Sequence, residues 1–305
     1  LWRWTFPVNK LNQQTEQLSP LSSRPTYTET ENDLTVKANK RTFIFSKKDG
    51  QLKGVSVDNR KISFANGPRF IGARRADRSL DQFYNHDDEK AKEKDRTYSE
   101  FPDAAVFTKL DVKQDGGDLV VTANYKLGNL DKAQWTINPS GDLALDYTYN
   151  FSGVVDLMGI RFDYPEDQVI SKRWLGAGPY RVWQNRIHGT QYDVWENDYN
   201  DPIPGETFTY PEFKGYFGDV SWMNIQTKEG TISLTNETPD AYIGVYQPRD
   251  GRDRLLYTLP ESGISVLNVI PPVRNKVNST DLCGPSSQPK WVNGPQTGRV
   301  IFRFM

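Results

Sequence analysis

Cysteine occurs once in 305 residues, at Cys283, so no intrachain disulfide can staple the fold. Two histidines, His86 and His188, add too few soft ligands for a zinc site, and the composition calls for no cofactor. No apolar run approaches the 18 or so residues that a membrane-spanning helix needs. Charge of one sign is missing as well: 38 basic residues stand against 39 acidic ones, a net of −1. That balance supplies no electrostatic handle for nucleic acid or an anionic membrane. Helical periodicity is nearly absent. Only "SLDQFYNHDDEKAKEKD" (79–95) has room for a short helix, inside a long charged insertion.

Aromatic residues are what the chain has in quantity: eight Trp and fifteen Tyr, against a mean hydropathy of −0.70. Trp and Tyr join a flat apolar face to a polar edge. Such side chains suit a large β core, and they equally suit sugars, which present C–H faces beside hydroxyls.

Strand patterns fill the chain from Tyr27 onward. "LTVKA" and "RTFIFS" place Phe43 and Phe45 on one face, and Lys48-Asp49-Gly50 signals a hairpin into "LKGVSV". "VFTKLDVK" turns at "QDGG" into "LVVTANY", and "KAQWTI" turns at "NPSG" into "LALDYTYNF". "VVDLMGIRFDY", "GTISLTN", "AYIGVYQ", "GISVLNVI" and "GRVIFRF" follow. Turn signals recurring roughly every ten residues mean antiparallel sheets. The number of strands exceeds an immunoglobulin-type sandwich and predicts a very large two-sheet sandwich. Upstream, "LWRWTFPV" alternates as a lone strand before a Ser- and Pro-containing polar stretch. Residues 1–26 are therefore expected to be the end of a preceding domain plus a linker, and residues 27–305 the sandwich. The chain begins at Leu1, with neither an initiator Met nor a signal-like apolar segment, as expected of a processed or excised product.

Several features bear on chemistry. Glycoside hydrolysis commonly uses two carboxyls about 5–10 Å apart. Glu166, Glu196, Asp198, Asp201, Glu206, Glu212 and Asp219 crowd the middle of the chain, yet spacing alone pairs none of them. "WENDYNDP" (195–202) alternates oxygen ligands as a calcium loop does, but lacks the glycine and distal glutamate of an EF-hand. It also reads as a solvated turn. His188 is a candidate for hydrogen bonding a sugar hydroxyl or for acid–base work. Cys283, followed by Gly284-Pro285, is more often buried filler than nucleophile.

The segment "WLGAGPYRVWQNR" (174–186) resembles the W-x-G-x-G-P signature of the carboxy-terminal domain of bacterial β-galactosidases, glycoside hydrolase family 2. "LTVKANKRTFIFSKKDGQLKGVSVDNRKI" resembles that domain's opening. "YPEFKGYFGDVSWMNI" resembles its P-Q-E segment, and "TDLCGP" the loop before its last strands. The resemblance implies an all-β antiparallel supersandwich of the galactose mutarotase-like type, preceded by an immunoglobulin-like domain whose last strand is "LWRWTFPV". It implies that the catalytic glutamates lie in an upstream (β/α)₈ barrel, that this domain packs on that barrel, and that it helps form a β-glycoside pocket. A periplasmic or secreted enzyme is compatible with it.

By the same resemblance, Cys283 matches the position that reaches towards the sugar. Tyr180 and Trp183, expected to be exposed after the Gly176-x-Gly178-Pro179 turn, join it with His188 as carbohydrate-binding candidates. Trp174 is expected in the core beneath that turn. Arg186 is expected to form a buried ion pair with Asp219 or Glu212, and Trp222 completes the structural motif. The sequence departs from the family where Arg181-Val182-Trp183 replaces Glu-Asn-Tyr, where Asn185 replaces Asp, and where "GARRADR" (72–78) replaces an acidic loop. Those departures extend the expected substrate from β-galactosides to plant or algal oligosaccharides. Two other functions share the pattern: an independent carbohydrate-binding module, and a mutarotase- or lyase-like enzyme using His188.

Overall fold

A computed structural model describes residues 23–75, 98–199, 215–245, 259–272 and 284–305. The expected strand at 1–8 and the short helix at 79–95 lie outside these residues. Among the described residues there is no α-helix; only two single 3₁₀ turns, Glu166–Gln168 and Pro285–Ser287, interrupt the strands.

Among the described residues, nineteen strands form two antiparallel sheets. The ten-stranded sheet runs β1(Thr26–Glu29), β2(Asp33–Ala38), β3(Arg41–Ser46), β4(Leu52–Val57), β6(Ala65–Arg75), β12(Leu157–Asp163), β18(Ile264–Val269), β17(Tyr242–Gly244). β5(Arg60–Ile62) pairs with β4, and β7(Tyr98–Glu100) with β6. The nine-stranded sheet runs β14(Gln191–Asp198), β13(Val169–Gly178), β15(Trp222–Thr227), β16(Gly230–Asn236), β19(Lys290–Phe304), β11(Leu143–Val155), β10(Leu130–Ile137), β9(Asp118–Lys126), β8(Val106–Asp115). The very large two-sheet sandwich expected from the strand pattern, and the all-β supersandwich implied by the resemblance, is the architecture found.

Alternation builds both inner faces. Leu34, Val36 and Ala38 of β2 and Phe43 and Phe45 of β3 are buried, and so are Leu143, Leu145, Tyr147 and Tyr149 of β11. The hairpin at Lys48-Asp49-Gly50 closes as its sequence directs. Gly50 sits at φ +74°, its N–H donates to the Ser46 carbonyl, and the Gln51 N–H donates to Asp49 Oδ1 at 3.1 Å. Aromatic rings meet between the sheets: Phe45 and Trp135 at 6.0 Å, Phe70 and Tyr149 at 5.5 Å, Phe162 and Phe302 at 5.4 Å. Such contacts carry about 0.5–1.5 kcal/mol each beyond the area they bury.

One expected strand divides in two. In "VVDLMGIRFDY" the chain leaves the nine-stranded sheet at Val155 and enters the ten-stranded sheet at Leu157. Asp156 lies at the crossing, buried, with its N–H donating to Ala73 O at 2.9 Å. Both halves are apolar because each faces the same core from opposite sheets, so hydropathy shows no seam. The segment 65–75 also becomes a strand despite Asn66-Gly67-Pro68, with a register shift against β12 between Arg161 and Asp163.

Candidate functional site

The segment 174–186 begins as strand and ends as an irregular seam. Trp174 of β13 is wholly buried, stands edge-on to Phe217 at 4.8 Å, and donates from Nε1 to Ala177 O at 3.0 Å. Its expected core position is found. The expected glycine turn is not: β13 continues through Gly176 and Gly178, and neither has a positive φ. Close approach explains these glycines better than turn geometry. A Cβ on Gly178 would lie 2.3 Å from Trp195 Cδ1, and one on Gly176 would lie 3.0 Å from the Gly218 carbonyl oxygen. The Gly178–Pro179 peptide bond is cis.

"GYFGDVSW" (215–222), the second segment of the resemblance, packs against the first. Val182 and Tyr216 exchange backbone hydrogen bonds at 2.8 Å, and Ala177 N–H donates to Gly218 O at 2.9 Å. Ser221 N–H donates to Leu175 O at 2.9 Å, leading into the β13–β15 pairing in which Leu175 faces the half-buried Trp222. Asp219 takes a left-handed φ of +50° and is exposed.

Two expectations are overturned at this seam. Trp183 is not exposed: 1% of its surface remains accessible, with its ring edge-on to Tyr216 at 5.6 Å. After Pro179 the chain bridges to Tyr216 rather than turning outward, then closes on itself between Trp183 and Arg186. The indole is thereby drawn into a second apolar cluster with Ile71, Leu157, Val182 and Ile270. That burial removes the open face that stacking on a sugar would need. Arg186 is exposed and forms no ion pair with Asp219. Glu212, its other expected partner, lies outside the described residues. The buried arginine is instead Arg181, 2% exposed, with its guanidinium 5.8 Å from the Phe217 ring centre.

Gln184 was not marked by the sequence, and it organises the site. It is 8% exposed, and its backbone N–H donates to Pro271 O at 3.1 Å. Its side-chain Nε2 donates to Ser286 O at 2.9 Å and Gln288 O at 2.6 Å. One residue thus holds the chain just after β18 and the 3₁₀ turn that follows Cys283. Cys283 itself lies outside the described residues; its neighbour Gly284 takes φ +71° and opens that turn. A glutamine between Trp183 and Asn185, on no strand, carries no periodic signal of such a role.

Tyr180 is half-buried, and its hydroxyl donates to the His188 carbonyl at 3.5 Å; His188 is exposed. These two candidates are brought together. Farther along the same sheet edge, Lys172 is fully buried, donating to Asp198 O at 2.8 Å, with its ammonium 5.3 Å from the Tyr199 ring centre. The stretch 195–198 of "WENDYNDP" is the end of β14; 200–202 lie outside the described residues.

Titration is perturbed elsewhere. Burial pushes the Tyr147 phenol up to about 12, and burial raises the Asp103 carboxyl despite the charges of Arg69 and Arg161. Burial also acts to raise Asp142, but the hydrogen bonds and charge of Arg303, with Asn138 and Ser140, outweigh it and hold that carboxyl low. No helix among the described residues is long and apolar enough to cross a membrane.

Comparison with known proteins adds the following. A family model described as beta galactosidase small chain matches residues 37–272. No curated protein matches the sequence. Among solved structures, a galactose 1-epimerase from Lactobacillus acidophilus NCFM is similar over 93% of this chain and 99% of that one, at 9% identity and a TM-score of 0.48. A GalM/aldose epimerase homologue from C. elegans is similar over 92% and 99%, at 7% identity and a TM-score of 0.36. A putative mutarotase from Salmonella typhimurium is similar over 95% of each chain, at 10% identity and a TM-score of 0.39.

Proposed function

The chain belongs to the β-galactosidase small-chain family, and we propose that it serves as the non-catalytic carboxy-terminal domain of a family 2 glycoside hydrolase. In this reading residues 27–305 pack on an upstream catalytic barrel and form one wall of its carbohydrate pocket. Residues 1–26 are the end of an immunoglobulin-like domain and its linker. The glutamates that cleave the glycosidic bond belong to the barrel.

The observation that carries the reading is the grip of Gln184 on Ser286 and Gln288. The family's signature segment thereby anchors residues 286–288, shortly after the cysteine that is the best candidate to touch sugar. A pocket wall must be held within a fraction of an ångström to favour the transition state. A buried amide that faces two carbonyls does this without adding charge. Tyr180 and His188, adjacent at the open end of the same segment, are the remaining carbohydrate contacts of the proposal. Trp174, Gly176 and Gly178 act beneath them by fixing the course of β13.

The test is Cys283→Ala in the assembled enzyme. Its KM for an aryl β-galactoside rises several-fold while its melting temperature stays unchanged. An unchanged KM removes Cys283 from the pocket.

A further inference from the structure

A cleft of about 770 Å³ opens at the other end of β6 and β12 from the Trp183 cluster. Six residue steps along β12, roughly 20 Å of strand, separate Leu157 of that cluster from Asp163 in the cleft. Its walls come from the β5–β6 turn, the chain after β12 and the turn before β18. Its volume is that of an ordinary small-molecule site.

The charges on its walls cancel. Lys61, Arg69 and Arg161 face Asp163, Glu166 and Glu261, three cations against three carboxylates. Both arginines are bonded within the cleft. Arg69 donates to Asp163, which accepts from Asn66 Nδ2 at 2.9 Å as well. Arg161 donates to the Glu261 carbonyl and stands 3.9 Å from Glu100. Arg69 and Arg161 are cross-strand partners, and like charges so placed repel. The acids around them offset that repulsion, so no cation surplus is left to recruit a phosphate or a sulfate. The bonds from Arg69 and Asn66 likewise leave the Asp163 carboxylate a poor ligand for a bare metal ion.

What remains is a wall of no net formal charge that carries both donors and acceptors, with Pro165 exposed beside the buried Tyr164. A hydroxyl both donates and accepts, and a run of vicinal hydroxyls matches such a wall at several points. A sugar ring also offers a C–H face to an apolar patch. We propose that this cleft binds a neutral oligosaccharide, with Lys61, Asn66 and Glu261 as rim contacts over the Arg69–Asp163 and Arg161–Glu261 floor. The cleft holds a glycan chain, and bond cleavage is no part of its role.

The test is calorimetric titration of the 305-residue chain with lactose, cellobiose and laminaribiose, with inorganic phosphate and a uronic-acid disaccharide as anionic controls. At least one neutral disaccharide binds saturably, with Kd of about 1 mM or tighter. The exposed pair Lys61→Ala/Glu261→Gln weakens that binding about tenfold, the loss of one or two charge-assisted hydrogen bonds, with near-ultraviolet circular dichroism unchanged. Asn66→Ala, a milder change on the same rim, weakens it less. Three results each overturn the proposal: no neutral probe binding with a Kd of about 1 mM or tighter, binding that both variants leave unaltered, or tighter binding of phosphate or the uronate. Binding is read on the chain alone and the pocket-wall function on the assembled enzyme, so either can fail without the other.

Discussion

Replacing Gln184 by Ala removes two N–H···O=C bonds, at 2.9 Å to Ser286 and 2.6 Å to Gln288. Each is worth about 0.5–1.5 kcal/mol net, and a half-buried carbonyl left without a donor costs more. The sum is about 2–3 kcal/mol. It falls on the docking of residues 284–288, because β13 keeps its own ladder to β14 and β15. At about 1.4 kcal/mol per factor of ten, the turn opens roughly 30- to 140-fold more often. The amides of Ser287 and Gln288, bonded to Gly284 O and Pro285 O within the turn, report this directly by hydrogen exchange. Their protection falls by that factor while amides of β13 keep theirs. Gln184→Glu separates donation from packing: it keeps the shape, loses the donor and sets a carboxylate against two carbonyls, so it opens the turn at least as much. Unchanged protection of Ser287 and Gln288 in both variants would refute the anchoring role.

Three further outcomes follow from the same geometry. Gly178→Ala places a Cβ 2.3 Å from Trp195 Cδ1 and destabilises by about 1–3 kcal/mol in urea unfolding, whereas Gly117→Ala, whose nearest neighbour is Pro139 Cγ at 3.8 Å, costs much less. Trp174→Phe loses the bond to Ala177 O and leaves a void beside Phe217, a cost of about 1–3 kcal/mol by the same measurement. Asp142 accepts from Arg303 Nε at 2.7 Å and Nη2 at 2.9 Å, and its pKa lies below the ordinary carboxylate value near 3.9. Its stabilisation is therefore complete above about pH 5 and is lost as pH falls through the unfolded value to the lowered folded one. Asp142→Asn costs about 1–2 kcal/mol at pH 7 and flattens the acid limb of the stability–pH curve.

The core was legible wherever one strand faces one sheet. Leu34, Val36, Phe43 and Phe45 alternate because each has a single inward face, and Gly50 stands where a tight hairpin needs a left-handed residue. Legibility failed where a glycine, a proline or a charge sits inside a strand. β6 begins with Asn66-Gly67-Pro68, β13 ends in two glycines, and β14 carries acids on its outer face, so none reads as a ladder. The site was harder still. Trp183 and Gln184 lie on a seam held by isolated bridges, where alternation gives no inside and outside. An exposed indole and a buried one have the same sequence there. Only the approach of Tyr216 and of the turn at 284–288, distant in the chain, decides between them.

The central claim is that this domain completes a pocket whose chemistry lies upstream. The most direct measurement is kcat/KM for an aryl β-galactoside, taken on the assembled enzyme and on its upstream portion expressed without residues 27–305. The portion without this domain is expected to lose most of its activity, and the domain alone to have none. Adding the two back together restores turnover. Full activity of the upstream portion alone, or hydrolysis by the isolated 305-residue chain, would contradict it.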